Sequence, residues 1–170
     1  CEQDISNEIR FNPVTFQNVN LDDTKHKGVE VSASTKLSFV KLSANYTYLN
    51  AKFTDGADKS KNLTLIPKDT FNINAESELP YDMLFAVNLN YVNEAYMSND
   101  SSNTFGIKIP SYKTVSLKLK KTINNLELAV QINNLFNEQY YNYAVNSTST
   151  AGRYNAYSLP ERNAYLSLSY

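Results

Sequence analysis

The chain has 170 residues, with 16 Lys and Arg against 17 Asp and Glu, and its formal net charge is −1. This length permits one domain, and a net charge near zero does not indicate the basic surface expected of a nucleic-acid-binding protein. Four Gly and five Pro are too few for a fibrous or low-complexity chain. The single cysteine, Cys1, excludes a disulfide within the chain.

Hydropathy also limits the possible architectures. The mean hydropathy is −0.45, and no apolar run approaches the roughly 18 residues that a membrane helix needs. A barrel that crosses a membrane with strands is not excluded, because such strands alternate apolar and polar residues and have unremarkable average hydropathy.

Apolar and polar residues alternate with a period of two along most of the chain, which indicates β-strands. Val29, Val31 and Ala33, for example, are separated by Glu30 and Ser32. Several of these runs reach the roughly 9–11 residues that cross a bilayer at a tilt. We predict about eight antiparallel strands, near residues 3–12, 15–37, 39–54, 66–79, 82–97, 109–121, 125–142 and 158–170.

The predicted connections alternate in length. Those near residues 37–38, 79–82 and 123–125 are tight, whereas those at residues 55–65, 98–108 and 143–157 are long and polar. Short turns on one rim and long loops on the other are typical of outer-membrane barrels, with the long loops outside the cell. Tyrosines near several strand ends favour an aromatic girdle at the membrane interfaces.

A motif near the end of the chain carries a family resemblance. Asn134, Leu135, Phe136 and Asn137 follow an alternating run, and a polar loop and a last alternating run come after them. This order resembles the closing hairpin of TonB-dependent outer-membrane receptors. Further matches in the family's order are Gly28, Val29 and Glu30, residues 44–51, Ile66 with Pro67, and Pro160 with Arg162.

The resemblance implies an all-β fold of antiparallel transmembrane β-barrel strands, the C-terminal part of a barrel of about 22 strands. Residues 1–170 would be one partial domain, and the N-terminal plug domain would be absent. The strand-like start at Cys1 and the lack of a signal sequence agree with this expectation. A complete eight-stranded barrel with a structural or adhesion role is the alternative, and a soluble β-sandwich is a further one.

The same resemblance implies a function. The intact protein would lie in the outer membrane of a Gram-negative bacterium, contact its lipid, and import a ferric siderophore, with cobalamin as the alternative cargo. Energy would come from TonB through the absent plug domain. The resemblance implies a receptor rather than an enzyme, with no cofactor and no nucleic-acid partner.

The sequence contains no catalytic constellation and no dedicated metal motif. His26, the sole histidine, lies close to Asp22 and Asp23, and we interpret that segment as solvated polar chain. Ligand contacts are predicted only at Arg153, Tyr154 and Tyr157, because a guanidinium flanked by aromatic rings suits an anionic ferric catecholate. An ordinary tyrosine-rich outer loop is the alternative for these residues.

The remaining motif residues are expected to be structural. They are Gly28, Val29, Glu30, Asn134, Leu135, Phe136, Asn137, Pro160 and Arg162. Glycine within a strand often marks a bend or the close approach of a neighbour, and this is the expectation for Gly28.

Overall fold

The computed structural model describes residues 1–12 and 15–170, and every regular element in those residues is a β-strand. None of the described residues forms a helix long and apolar enough to cross a membrane. The strands are β1 (Glu2–Ile5), β2 (Ile9–Asn12), β3 (Gln17–Asn20), β4 (Thr24–Leu37), β5 (Val40–Phe53), β6 (Asp69–Leu79), β7 (Met83–Val92), β8 (Ala95–Tyr96), β9 (Lys108–Ile109), β10 (Tyr112–Ile123), β11 (Leu126–Asn133), β12 (Tyr141–Asn146), β13 (Tyr154–Ser158) and β14 (Asn163–Ser169).

Eight strands form one antiparallel sheet in the order β1-β4-β5-β6-β7-β10-β11-β14. β4 and β5 pair along their whole length, from Thr24 opposite Phe53 to Leu37 opposite Val40. No pairing joins β1 to β14 within the described part of the chain, so both are edges. Lipid cannot satisfy an open edge, and the linear order therefore fits a section of a larger barrel better than a complete eight-stranded one.

The predicted long strands are interrupted where the chain leaves the sheet. After Ile5, Val92 and Asn133 the chain forms three separate two-stranded ribbons, β2–β3, β8–β9 and β12–β13. The predicted strands 3–12, 15–37, 82–97 and 125–142 were therefore too long. The ribbons are themselves β-structure with the same period of two, so alternation alone does not reveal where a strand changes partner.

The sheet has two chemically different faces. Leu117 lies opposite Val87 on β7 and Ile132 on β11, which makes a continuous apolar row. The next position, Ser116, lies opposite Asn88 on the other face. A single period of two, kept in register across eight strands, thus separates an apolar face from a polar one, as in a barrel wall between lipid and lumen.

Side chains on the polar face are hydrogen-bonded to one another. The amides of Asn72 and Asn88 each donate to the other's side-chain oxygen, at 3.3 and 3.2 Å. Lys120 Nζ lies 2.7 Å from Glu127 Oε2 on the neighbouring strand. Such cross-strand pairs stabilise the sheet and specify its register.

The two ends of the sheet differ as predicted. At one end the strands are joined by tight turns at residues 38–39, 80–82 and 124–125, where Ser38, Tyr81, Asp82 and Asn124 have positive φ. At the other end residues 6–23, 54–68, 93–111 and 134–162 form long connections.

The long connections pack into a layer over the strand ends. One apolar cluster contains Ala51, Phe53 and Leu63, with Leu21 and Ile66 packed against it. A second contains Met97, Ile109 and Ala144, and Tyr141 packs against it. Because each cluster draws on several connections, this end of the molecule is a packed surface rather than a set of independent loops.

Candidate functional site

Gly28 stands where the backbone of β5 approaches β4 closely. A Cβ atom built on it would lie 2.7 Å from the carbonyl oxygen of Tyr48 and 3.3 Å from a methyl of Leu49. Along the strand, Val29 follows on the apolar face and Glu30 on the polar face, because successive side chains alternate. This geometry explains the glycine by sterics and places the motif in the wall, in the outer half of β4.

Asn134 is a buried turn residue with its side chain fully engaged. It is 3% exposed and has a φ of +48°, a conformation that asparagine tolerates better than most residues. Its side-chain oxygen accepts the Glu138 N–H at 2.9 Å, and its amide donates to the Glu138 carbonyl at 2.8 Å and to the Pro160 carbonyl at 3.4 Å. One side chain thus ties the start of the 134–162 connection to its end.

The rest of this motif completes the same junction. The Leu135 N–H donates to the Val115 carbonyl at 2.8 Å. Asn137 has a φ of +55°, and its side-chain oxygen accepts the Arg162 N–H at 2.9 Å. Phe136 projects away from the junction and is 75% exposed.

The predicted ligand residues lie on the β12–β13 ribbon and are only partly brought together. Tyr154 contacts Tyr141, with ring centroids 6.0 Å apart, and the Tyr141 hydroxyl donates to the Tyr154 hydroxyl at 3.0 Å. Tyr157 packs instead against Tyr143, with centroids 5.5 Å apart. Positions 154 and 157 of one strand lie on opposite faces, so the two rings cannot flank a single ligand.

Burial and the same hydroxyl contact also affect ionisation in this ribbon. Burial first, and then the hydrogen bond with Tyr154, raise the pKa of Tyr141 to about 12. Tyr141 is therefore a neutral donor over the whole physiological range.

An open cleft of about 700 Å³ lies between Phe16, which precedes β3, and the tip of the last ribbon. Phe16 forms one side, and Arg153 and Tyr154 lie on the other, among residues 145–149 and 152–155, most of which are polar. Arg153 is exposed, and its backbone N–H donates to the Thr150 carbonyl at 3.3 Å. The cleft therefore combines one cation, two aromatic rings and several hydroxyl or amide groups.

Arg10, which the sequence did not single out, links three of the outer connections. Its guanidinium donates to Thr64 Oγ1 at 2.5 Å, to the Ser98 carbonyl at 2.7 Å and to Ser101 Oγ at 3.2 Å. Burial lowers the pKa of Arg10. An arginine in an alternating polar strand has no sequence signature that would have separated it from a solvated one.

Among the described residues, no three or more His, Cys, Asp and Glu side chains are grouped so that they could hold a metal ion. His26 lies within β4, opposite Gln3 and Ala51 in register.

Comparison with known proteins agrees with this architecture. The sequence model of the family described as "TonB dependent receptor-like, beta-barrel" matches residues 2–135. The metal-pseudopaline receptor CntO of Pseudomonas aeruginosa is 27% identical over 137 residues, which cover 76% of this chain and 19% of that protein. The chain thus spans about a fifth of the curated relative it matches.

Solved structures give the same fold. The siderophore receptor PiuA of Acinetobacter baumannii superposes with a TM-score of 0.75 at 20% identity, covering 98% of this chain and 24% of that one. The ferric-catecholate import receptor Fiu of E. coli K12 superposes with a TM-score of 0.70, also at 20% identity, covering 98% and 23%.

Members of this family are transport receptors of the Gram-negative outer membrane, which confirms the expected location and the expectation that the chain is not an enzyme. The family match, the antiparallel sheet and its unequal ends lead to one conclusion: this chain belongs to the TonB-dependent receptors and forms part of their β-barrel.

Proposed function

We propose that the intact protein imports a ferric siderophore across the outer membrane, driven by TonB, and that residues 1–170 supply the C-terminal section of its barrel. A plug domain outside these residues would carry the TonB contact. The observation that carries the proposal is the eight-stranded sheet with tight turns at one end and a packed layer of long connections at the other. In this reading the chain contributes wall and outer surface, and no covalent chemistry occurs.

The cleft at the outer end supports the choice of cargo class. Arg153 and Tyr154 present a positive charge beside an aromatic ring, and Phe16 adds a second ring from the opposite ribbon. An anionic ferric complex with planar aromatic ligands would gain both charge attraction and ring contacts there. Tyr157, on the other face of β13, would contact cargo only from outside this cleft.

Growth of a deletion strain tests the proposal. Cells lacking the intact gene would be grown with ferric catecholate, ferric citrate or a metal-pseudopaline complex as the sole source of metal. In a separate culture, cobalamin would be the sole source of the vitamin. We expect loss of growth on one ferric siderophore, restored by the intact gene and lost again when TonB is deleted. A growth defect confined to cobalamin would identify cobalamin as the cargo instead of a ferric siderophore. Uptake that persists without TonB would contradict the proposed energy source.

A further inference from the structure

One face of the β2–β3 ribbon packs onto the outer layer. It carries Arg10 and, directly opposite in register, Val19. The guanidinium of Arg10 donates to the connections 54–68 and 93–111. Leu21, two residues after Val19, packs against the apolar cluster that contains Phe53 and Leu63. This face therefore joins the ribbon to the outer connections on the β4 side of the sheet.

The opposite face of the same ribbon is apolar and uncovered. Ile9 and Phe11 flank Arg10 along β2, so their side chains point away from the outer layer. Ile9 is 70% exposed and Phe11 is 48% exposed. Phe16, 78% exposed, contacts Phe11 edge to face, with ring centroids 6.4 Å apart. We call Ile9, Phe11 and Phe16 the apolar patch.

Two asparagines give the apolar patch a polar border. Asn18 lies opposite Phe11 and Asn20 opposite Ile9 in register, and residues directly opposite each other in an antiparallel pair share a face. Large apolar side chains gathered on an exposed surface with a polar rim mark a contact site for protein. Hydrocarbon could not satisfy the asparagine amides, so the chemistry of this face favours a polypeptide over acyl chains.

The position of the ribbon identifies which polypeptide is nearest. β1 pairs with β4 on one side only, and Ile5, opposite Thr24, marks its outer end. In a barrel wall the free edge of β1 pairs with a further strand. Because tight turns and long connections alternate, that strand would meet β1 through a tight turn, and its own outer end would lie beside Ile5. The long connection that leads into it would then be the neighbour of the ribbon on the side away from β4.

The other outer connections show how such neighbours pack. The first apolar cluster combines Leu21 with Leu63 of the next connection, and the second combines Met97 with Ala144 of the one after. Each outer connection thus shares buried apolar side chains with a neighbour. The β2–β3 ribbon contributes Leu21 on its β4 side, and the apolar patch is the matching contribution on its other side.

We propose that the apolar patch is covered in the intact receptor by the outer connection that leads into the strand before β1, which places an apolar side chain against Ile9 and Phe11. The proposal rests on the proposed function only in taking residues 1–170 as the C-terminal section of the barrel, and not on the identity of the cargo. The contact would continue the packed layer past β1 and would hold Phe16 in place at its side of the cleft.

Photo-crosslinking of the intact receptor in outer membranes tests this contact. A benzophenone amino acid replaces Phe11, and the membranes are irradiated without cargo. Mass spectrometry should find the crosslinked peptide in a segment that precedes Cys1 in the intact chain. The matched control carries the same group at Phe136, an exposed aromatic position of the last connection, and should not link to that segment. A link from position 11 to a second receptor molecule, to lipopolysaccharide or only within residues 1–170 would overturn the proposal.

Limited proteolysis of substituted receptors gives a second measurement. Ile9→Asn with Phe11→Asn should speed cleavage within the crosslinked segment about tenfold, because loss of apolar burial lets that segment open more often. Ile9→Val with Phe11→Leu keeps the patch apolar and should stay near the wild-type rate, as should Phe136→Asn. Unchanged cleavage in the asparagine variant would overturn the proposal.

Two independent measurements separate this proposal from the proposed function. Peptide mapping of the mature receptor shows whether barrel strands precede Cys1, and growth on the ferric siderophore tests the cargo. If strands precede Cys1 and position 11 still forms no link to them, the apolar patch has a different partner, whatever the cargo is.

Discussion

The side-chain oxygen of Asn137 accepts a hydrogen bond from the backbone N–H of Arg162 at 2.9 Å. This contact joins the beginning of the longest outer connection to the residue that precedes β14. Together with the bonds of Asn134 to Glu138 and Pro160, it closes the base of the connection. In these contacts, the motif that carries the family resemblance holds the two ends of this connection together.

Removal of the Asn134 side chain should destabilise the intact receptor. Asn134→Ala leaves the N–H and carbonyl of Glu138 without side-chain partners in a buried turn, which should cost about 1–3 kcal/mol. Asn134→Asp keeps the acceptor and should cost less. Denaturant titration in lipid measures the difference, and Asn155→Ala at an exposed position serves as the control. Equal stability of Asn134→Ala and the control would show that the hydrogen bonds of the Asn134 side chain do not stabilise the receptor.

The two faces of β10 should respond differently to a charge. Leu117→Arg, in the apolar row, should cost about 2–4 kcal/mol if it lies near the bilayer midplane, whereas Ser116→Arg on the polar face should cost much less. Both variants would be compared with the wild type by denaturant titration of the intact receptor. A similar loss of unfolding free energy in the two variants would contradict the assignment of the lipid and lumen faces.

The sheet was predictable because its two faces meet different surroundings. That requirement imposes the period of two on each strand. The predicted strand at 39–54 accordingly agrees with β5 (Val40–Phe53) to within a residue at each end. The outer layer was less predictable. The ribbons have the same period as the sheet, and the partners of Arg10 lie 54, 88 and 91 residues away along the chain. Contacts of that range leave no local pattern.

Loss of Arg10 should loosen the outer layer without opening the barrel. Arg10→Ala removes three hydrogen bonds from a charged donor and leaves the buried Ser98 carbonyl unpaired, at a cost of about 2–4 kcal/mol confined to the connections. Limited proteolysis should then cut residues 54–68 and 93–111 faster. Arg10→Lys should rescue only partly, because an ammonium group does not reproduce the guanidinium fork. An unchanged cleavage pattern would mean that the apolar clusters alone hold the layer.

The raised pKa of Tyr141 predicts a stability change at high pH. Below the ordinary value of 10.0 both folded and unfolded chains are protonated at this residue, and its contribution is fully present. As the pH rises from there toward about 12, the unfolded chain ionises first, so stability is lost. Tyrosinate absorbance of the intact receptor would be titrated with and without Tyr141→Phe. A difference curve centred near the ordinary value would contradict the raised pKa of Tyr141.

The proposed cargo contact can be tested at the tip of the β12–β13 ribbon. The expected loop 143–157 includes parts of both strands, and Ala144 is fully buried against Met97 and Ile109. Only residues 147–153 form the exposed tip between them. A replacement of 143–157 should therefore impair assembly, whereas a short Gly-Ser turn in place of 147–153 should leave it intact.

The tip variant and Arg153→Gln should both weaken ferric-siderophore binding if the cleft between Phe16 and Tyr154 holds the cargo. Arg153 supplies the positive charge in this tip, and its loss should reduce affinity about tenfold or more, because the charge attraction and the stacking surface are lost together. Arg153→Lys keeps the charge but not the planar stacking surface, so it should fall between the wild type and Arg153→Gln. Surface display and binding would be measured on the same cells. Normal surface display with unchanged affinity in all three variants would show that the cargo does not contact the tip. The assignment of the barrel wall does not depend on this contact and would stand.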